Sequence, residues 1–85
     1  MITLKSVEQL VVGDRIKYWA HKLKSDQTAW YWVWTTPSTP DPKYHSERSV
    51  RECLCLTVGS EKNNGSDLGV PLILNRTERF LVQSD

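Results

Sequence analysis

The sequence predicts a small, mostly-β domain, and three observations predict it. Short segments rich in β-branched and aromatic residues recur along the chain. Clusters of Gly, Pro, Asn, Asp and Ser separate them. One short stretch near the N-terminus has helical spacing instead. Several short strands with one helical turn fit a compact five-stranded barrel, SH3-like or OB-like, because closure removes the exposed edges of a small sheet. A curled α+β sheet is the alternative.

The 85 residues are read as a single domain, 1–85. A chain this short buries roughly 60–65% of the surface its unfolded form exposes, so a deep internal cavity is not expected. Apolar residues make up 39% and charged residues 25%, a globular composition. No apolar run approaches the roughly 18 residues of a membrane span. Residues 1–10 contain one lysine and no long apolar stretch, so no signal peptide and a cytoplasmic location are expected. Cys53 and Cys55 are accordingly read as reduced thiols, since i, i+2 neighbours rarely form an unstrained disulfide.

Taking the elements in order, Ser6-Val7-Glu8-Gln9 fits a capping box, and Leu4, Val7, Leu10 and Val11 are spaced like one helical face. The run Leu10-Val11-Val12-Gly13-Asp14-Arg15-Ile16 resembles the lead-in to the first strand of many small β-barrels and names no family. Strand one is placed at 14–22 and strand two at 28–36, the latter spelled Thr-Ala-Trp-Tyr-Trp-Val-Trp-Thr-Thr. A hairpin turn centred on Ser25-Asp26 would pair Trp19 with Trp32, and a three-residue turn would shift that register by one. Three prolines (Pro37, Pro40, Pro42) make 36–47 an extended loop. Strand three, 49–58, alternates: Val50, Glu52, Leu54, Leu56 and Val58 on one face, Arg51, Cys53, Cys55 and Thr57 on the other. Residues 59–69 are polar and glycine-rich. Strand four is placed at 70–74 and strand five at 78–82.

The candidate site lies on the hairpin. Trp30, Trp32 and Trp34 alternate along one strand and so share a face, which Arg15, Lys17, Trp19 and His21 join from across the hairpin if the turn is the one centred on Ser25-Asp26. Aromatic planes interleaved with cations suit single-stranded nucleic acid, whose bases stack at roughly 1–3 kcal/mol each. They equally suit a protein partner, because Trp, Tyr and Arg dominate interface hot spots. Lys22 and Lys24 extend the cationic stretch, and Lys43 and Tyr44 add a second candidate contact on the proline loop. The three tryptophans could instead form the core. Ile16, Tyr18, Tyr31 and Val33 offer the opposite face for that purpose, and the register decides.

Other chemistry is poorly supported. Cys53, Cys55, His21 and His45 are zinc-ligand types without finger or ribbon spacing, so no metal is expected. A thiol–imidazole pair of Cys53 or Cys55 with His45 would have Arg51 alone to activate the thiol. Glu47, Glu52 and Glu78 show no general acid–base spacing. The expectation is therefore a non-catalytic binding module without cofactor or membrane contact. Its net charge of +1 is small for a polyanion binder. A protein-interaction domain of regulatory or inhibitory type ranks first, of the kind phages and mobile elements carry, with a homodimer through the aromatic face as one form. A nucleic-acid-binding barrel ranks second.

Overall fold

The structure, a computed structural model, describes residues 1–19, 28–62 and 69–83. These form six strands: β1 (Ile2–Ser6), β2 (Arg15–Trp19), β3 (Thr28–Val33), β4 (Cys53–Gly59), β5 (Val70–Asn75) and β6 (Arg79–Gln83). A 3-10 turn (Val7–Gln9) follows β1, and one helix, α1 (Glu47–Glu52), precedes β4. Every strand pairing is antiparallel, in the order β1-β6-β2-β3-β4-β5.

The expectation of a mostly-β chain holds, and the five-stranded barrel is corrected. β1 and β5 lie at opposite edges, so the sheet is open and gains a strand that the sequence reading had assigned to a helical face. The misreading has a physical source. Of Leu4, Val7, Leu10 and Val11, only Val7 and Leu10 are buried, whereas Leu4 and Val11 are exposed. Val7 and Leu10 are brought together by the tight 3-10 turn, in which Leu10 N–H donates to the Val7 carbonyl at 3.1 Å. The capping interaction is present, with Gln9 Oε1 accepting from Ser6 N–H at 3.0 Å.

The sheet curls around one apolar layer. Ile16, Val33, Val58, Leu56, Leu54, Leu74 and Val82 point inward with Val7 and Leu10, and Tyr18, Tyr31, Leu72 and Phe80 pack against them. Tyr18 bridges Tyr31, edge-on at 6.4 Å, and Phe80 at 6.0 Å. Each buried aliphatic side chain contributes about 1.5–3 kcal/mol. The turn after β5 holds the curl at one end. Arg76 N–H donates to the Glu52 carbonyl at 2.9 Å, and Val7 N–H to the Glu78 carbonyl at 2.9 Å.

One charged pair is built into this layer. Asp14, 4% exposed, stands just before β2. Its carboxylate accepts from Lys5 Nζ at 2.9 Å and from Val11 N–H at 3.1 Å. Its carbonyl accepts from Val33 N–H at 2.8 Å. One residue thus ties β1, the turn and β3 together, with the desolvated charge satisfied by two donors.

Three further expectations are corrected. The stretch read as a strand from Ser49 is helical to Glu52, because Ser46 caps it through Ser49 N–H at 3.1 Å and Arg48 pairs with Glu52 at 3.0 Å. From Cys53 onward the predicted alternation holds, with 54, 56 and 58 buried and 53, 55 and 57 half-buried. β3 ends at Val33, not at Thr36. Beyond Trp34 the chain still runs beside β4, and Ser38 and Cys55 exchange two backbone hydrogen bonds of 2.8 and 2.9 Å. Finally, Arg15 pairs with Trp32 and Trp19 with Thr28, so the hairpin takes neither of the two registers left open and differs by four residues from the Trp19–Trp32 pairing. The Ser25-Asp26 turn itself lies outside the described residues.

Candidate interaction surface

A four-residue register shift is even, so it changes partners without exchanging faces. With Ile16, Tyr18, Tyr31 and Val33 packed in or against the core, Trp30 and Trp32 stand on the outward face with Arg15 and Lys17. The reading of the tryptophans as core is thereby corrected for these two, both of which are half-buried.

The register builds one row straight across the sheet. Ile2 pairs with Gln83, Gln83 with Arg15, Arg15 with Trp32, and Trp32 with Gly59. Side chains at paired positions share a face, so the row lies on the outward side. Arg15 is fixed at its centre. One guanidinium nitrogen donates to Gln83 Oε1 at 2.7 Å, and the guanidinium carbon lies 4.8 Å from the Trp32 ring centroid. Lys62 Nζ reaches the same ring at 5.8 Å, and Lys17 Nζ lies 6.0 Å from the Trp30 ring. Each such cation–π contact contributes about 0.5–2 kcal/mol, more as water is excluded.

Toward the β1 edge the face turns apolar. Leu4 pairs with Leu81 beside Ile2, and the three are 56%, 46% and 57% exposed. The sequence reading missed Ile2, Leu4, Leu81 and Lys62. The signal for the first three was alternation at i, i+2 in β1 and at the paired position of β6. Lys62 gave none, because its approach to Trp32 depends on the path of the β4–β5 loop.

Trp34 packs against the described ends of that loop. Its backbone N–H donates to the Thr57 carbonyl at 2.9 Å, and its indole Nε1 donates to the Glu61 carbonyl at 2.8 Å. The ring lies on the backbone of Gly59 and Gly69. A Cβ on Gly59 would sit 2.0 Å from ring atom Cζ2, and one on Gly69 2.6 Å from Cζ3. Gly69 also has φ of +74°, which favours glycine on its own account. Trp34, expected in the binding face, lies against Gly59 at the end of the outward row and also holds Glu61 through its indole, and the residue after its hydrogen-bonded carbonyl is Lys62.

The other predicted residues are dispersed. Trp19 closes β2 as the strand partner of Thr28. His21, Lys22 and Lys24 lie outside the described residues. Lys43 and Tyr44 form a separate pair, Nζ 5.6 Å from the ring centroid, in a turn where Asp41 Oδ1 accepts from Lys43 N–H at 2.8 Å. The outward side of β4 and β5 carries an open groove of about 420 Å³, lined by Thr35, Ser38, His45, Cys55, Thr57 and Ile73 among others. Both cysteines are free and half-buried. Among the described residues, no three of His, Cys, Asp and Glu come together as a metal site, and no helix is long and apolar enough to cross a membrane.

The fold and surface define the chain as a small open antiparallel sheet with an aromatic, cationic outer face. Comparison with protein-family models, with curated proteins and with solved structures gives no match.

Proposed function

We propose that this chain is a non-catalytic protein-interaction module, regulatory or inhibitory in type, whose contact surface is the outward face of β1, β6, β2 and β3. The observation that carries this reading is the row from Ile2 through Gln83 and Arg15 to Trp32, with Leu4 and Leu81 exposed beside it. Interface centres favour ordered aromatics and arginine with adjoining apolar area, and this face offers both in fixed geometry. Arg15 is already held by Gln83 and Trp32, so little side-chain entropy remains to be lost on docking.

Single-stranded nucleic acid is the second reading, favoured by the exposed Lys17 and Arg79 on the same sheet. Against it, Arg15 and Lys62 occupy positions over the Trp32 ring that a stacking base would need. The exposed Ile2, Leu4 and Leu81 also have no role in phosphate binding.

A photo-crosslinking amino acid placed at Leu81, with another at Tyr44 as control, tests the proposal in cells of the natural source. The expected result is one discrete protein adduct from Leu81 that excess wild-type chain competes away. Adducts to nucleic acid, or protein adducts from Tyr44 alone, would overturn it. An adduct to a second copy of the chain would make the partner a homodimer through the same face.

A further inference from the structure

Resting on that reading of the outward face, we infer that the partner is an acidic, extended protein segment in which carboxylates are interspersed with apolar side chains. The charge distribution is the basis. None of the six strands contains an aspartate or glutamate, although the whole chain has 10 acids against 11 lysines and arginines. Outward strand positions carry Arg15, Lys17 and Arg79, and Lys62 reaches over Trp32 from the β4–β5 loop. The buried Asp14 is engaged with Lys5 in the core layer, and the exposed Glu61 and Glu78 stand outside the strands. Among the described residues, a nearly neutral chain thus presents one cationic sheet face, and the complementary surface is anionic.

The apolar flank sets the rest of the partner's chemistry. Ile2, Leu4 and Leu81 would waste buried area against a uniformly charged polymer, whereas leucine, isoleucine or phenylalanine among the carboxylates would cover them. The geometry also sets a length. Strands are spaced about 4.8 Å apart, so the row from Ile2 to Gly59 is roughly 19 Å long, the span of about six extended residues. Carboxylates of such a segment can meet Arg15 and Lys17 edge-on without displacing either cation from its ring, which a stacking base could not do.

The test is selection from a random twelve-residue peptide display library on immobilised full-length chain. Three baits are compared: wild type, Lys17→Glu/Arg79→Glu, and Lys43→Glu/Arg48→Glu. All four substituted positions are exposed, and both variants carry the same change in net charge. Circular dichroism confirms that each is folded. Wild type should enrich peptides combining Asp or Glu with Leu, Ile or Phe. Their affinity should fall about tenfold between 0.05 and 0.5 M salt, vanish on the first variant and persist on the second.

Enrichment of neutral apolar peptides that compete for the same face would overturn the acidic inference and leave the interaction surface standing. Failure to enrich any peptide, or binding indifferent to the Lys17→Glu/Arg79→Glu change, would overturn both. A twelve-nucleotide single strand that binds more tightly than every selected peptide at equal salt would also overturn both, in favour of nucleic acid.

Discussion

Gly59→Ala is the sharpest test of how the surface is assembled. An alanine Cβ would lie 2.0, 2.4 and 2.5 Å from three atoms of the Trp34 ring. The ring is rigid and hydrogen-bonded through Nε1 to Glu61, so it must rotate or lift as a unit. Overpacking of this kind costs about 1–3 kcal/mol, and losing the indole hydrogen bond adds about 1 kcal/mol. The better strand preference of alanine returns about 0.5–1 kcal/mol. The expected net loss is about 2–3 kcal/mol, a large share of the roughly 4–13 kcal/mol typical of a chain this size. Urea denaturation followed by far-UV circular dichroism reads it as a midpoint lowered by about 2 M. The cause is isolated in a Trp34→Leu background, where the ring atoms that the new methyl would strike are gone. There Gly59→Ala should cost less than about 0.5 kcal/mol, a coupling near 2 kcal/mol. An equal cost in both backgrounds would refute the packing of Trp34 on Gly59.

Other consequences follow from single contacts. Asp14→Ala leaves a partly buried Lys5 ammonium and the Val11 N–H without their acceptor, and should lower stability by about 3 kcal/mol in chemical denaturation. Asp14→Asn, which keeps an acceptor, should cost less. Ser46→Ala removes the cap of α1 and should cost about 1 kcal/mol, measurable by the same denaturation. In iodide and acrylamide quenching, Trp32→Phe should remove a component that iodide quenches more strongly than neutral acrylamide does, because Arg15 and Lys62 attract the anion to that ring.

The parts of this molecule legible in the sequence are those set by a period of two. The division of Leu54, Leu56 and Val58 from Cys53, Cys55 and Thr57 needs only strand geometry, and so does the shared face of Trp30 and Trp32; that Arg15 and Lys17 join them depends on the parity of the hairpin register. Of the two registers left open, the one centred on Ser25-Asp26 differs from the structure by an even number of residues and so gives the right faces, whereas the other would have exchanged them. Features set by competition between local and distant contacts were not legible. Residues 49–52 extend the alternation of the strand that follows, with Val50 and Glu52 in phase with Leu54, but the Ser46 cap and the Arg48–Glu52 pair win locally. Leu4 fits a helical stripe, yet Ile2–Ser6 pairs over five residues with β6, which satisfies the backbone groups on the inner side of this edge strand. Trp34 looked equivalent to Trp30 and Trp32, and only the absence of side chains at Gly59 and Gly69, 25 and 35 positions away, lets it fold over the sheet instead of standing with them.

The central claim is that the outward face of β1, β6, β2 and β3 is where this protein meets its partner. Nuclear magnetic resonance titration of the nitrogen-15-labelled chain with its tightest selected peptide tests that claim most directly. Backbone amides of residues 2–4, 15–17, 30–32 and 79–83 should shift, together with the indole N–H signals of Trp30 and Trp32. The indole N–H of Trp34, held on the Glu61 carbonyl, should stay in place. Shifts gathered instead around Thr35, His45, Cys55 and Ile73 would move the site to the groove on β4 and β5 and contradict the account.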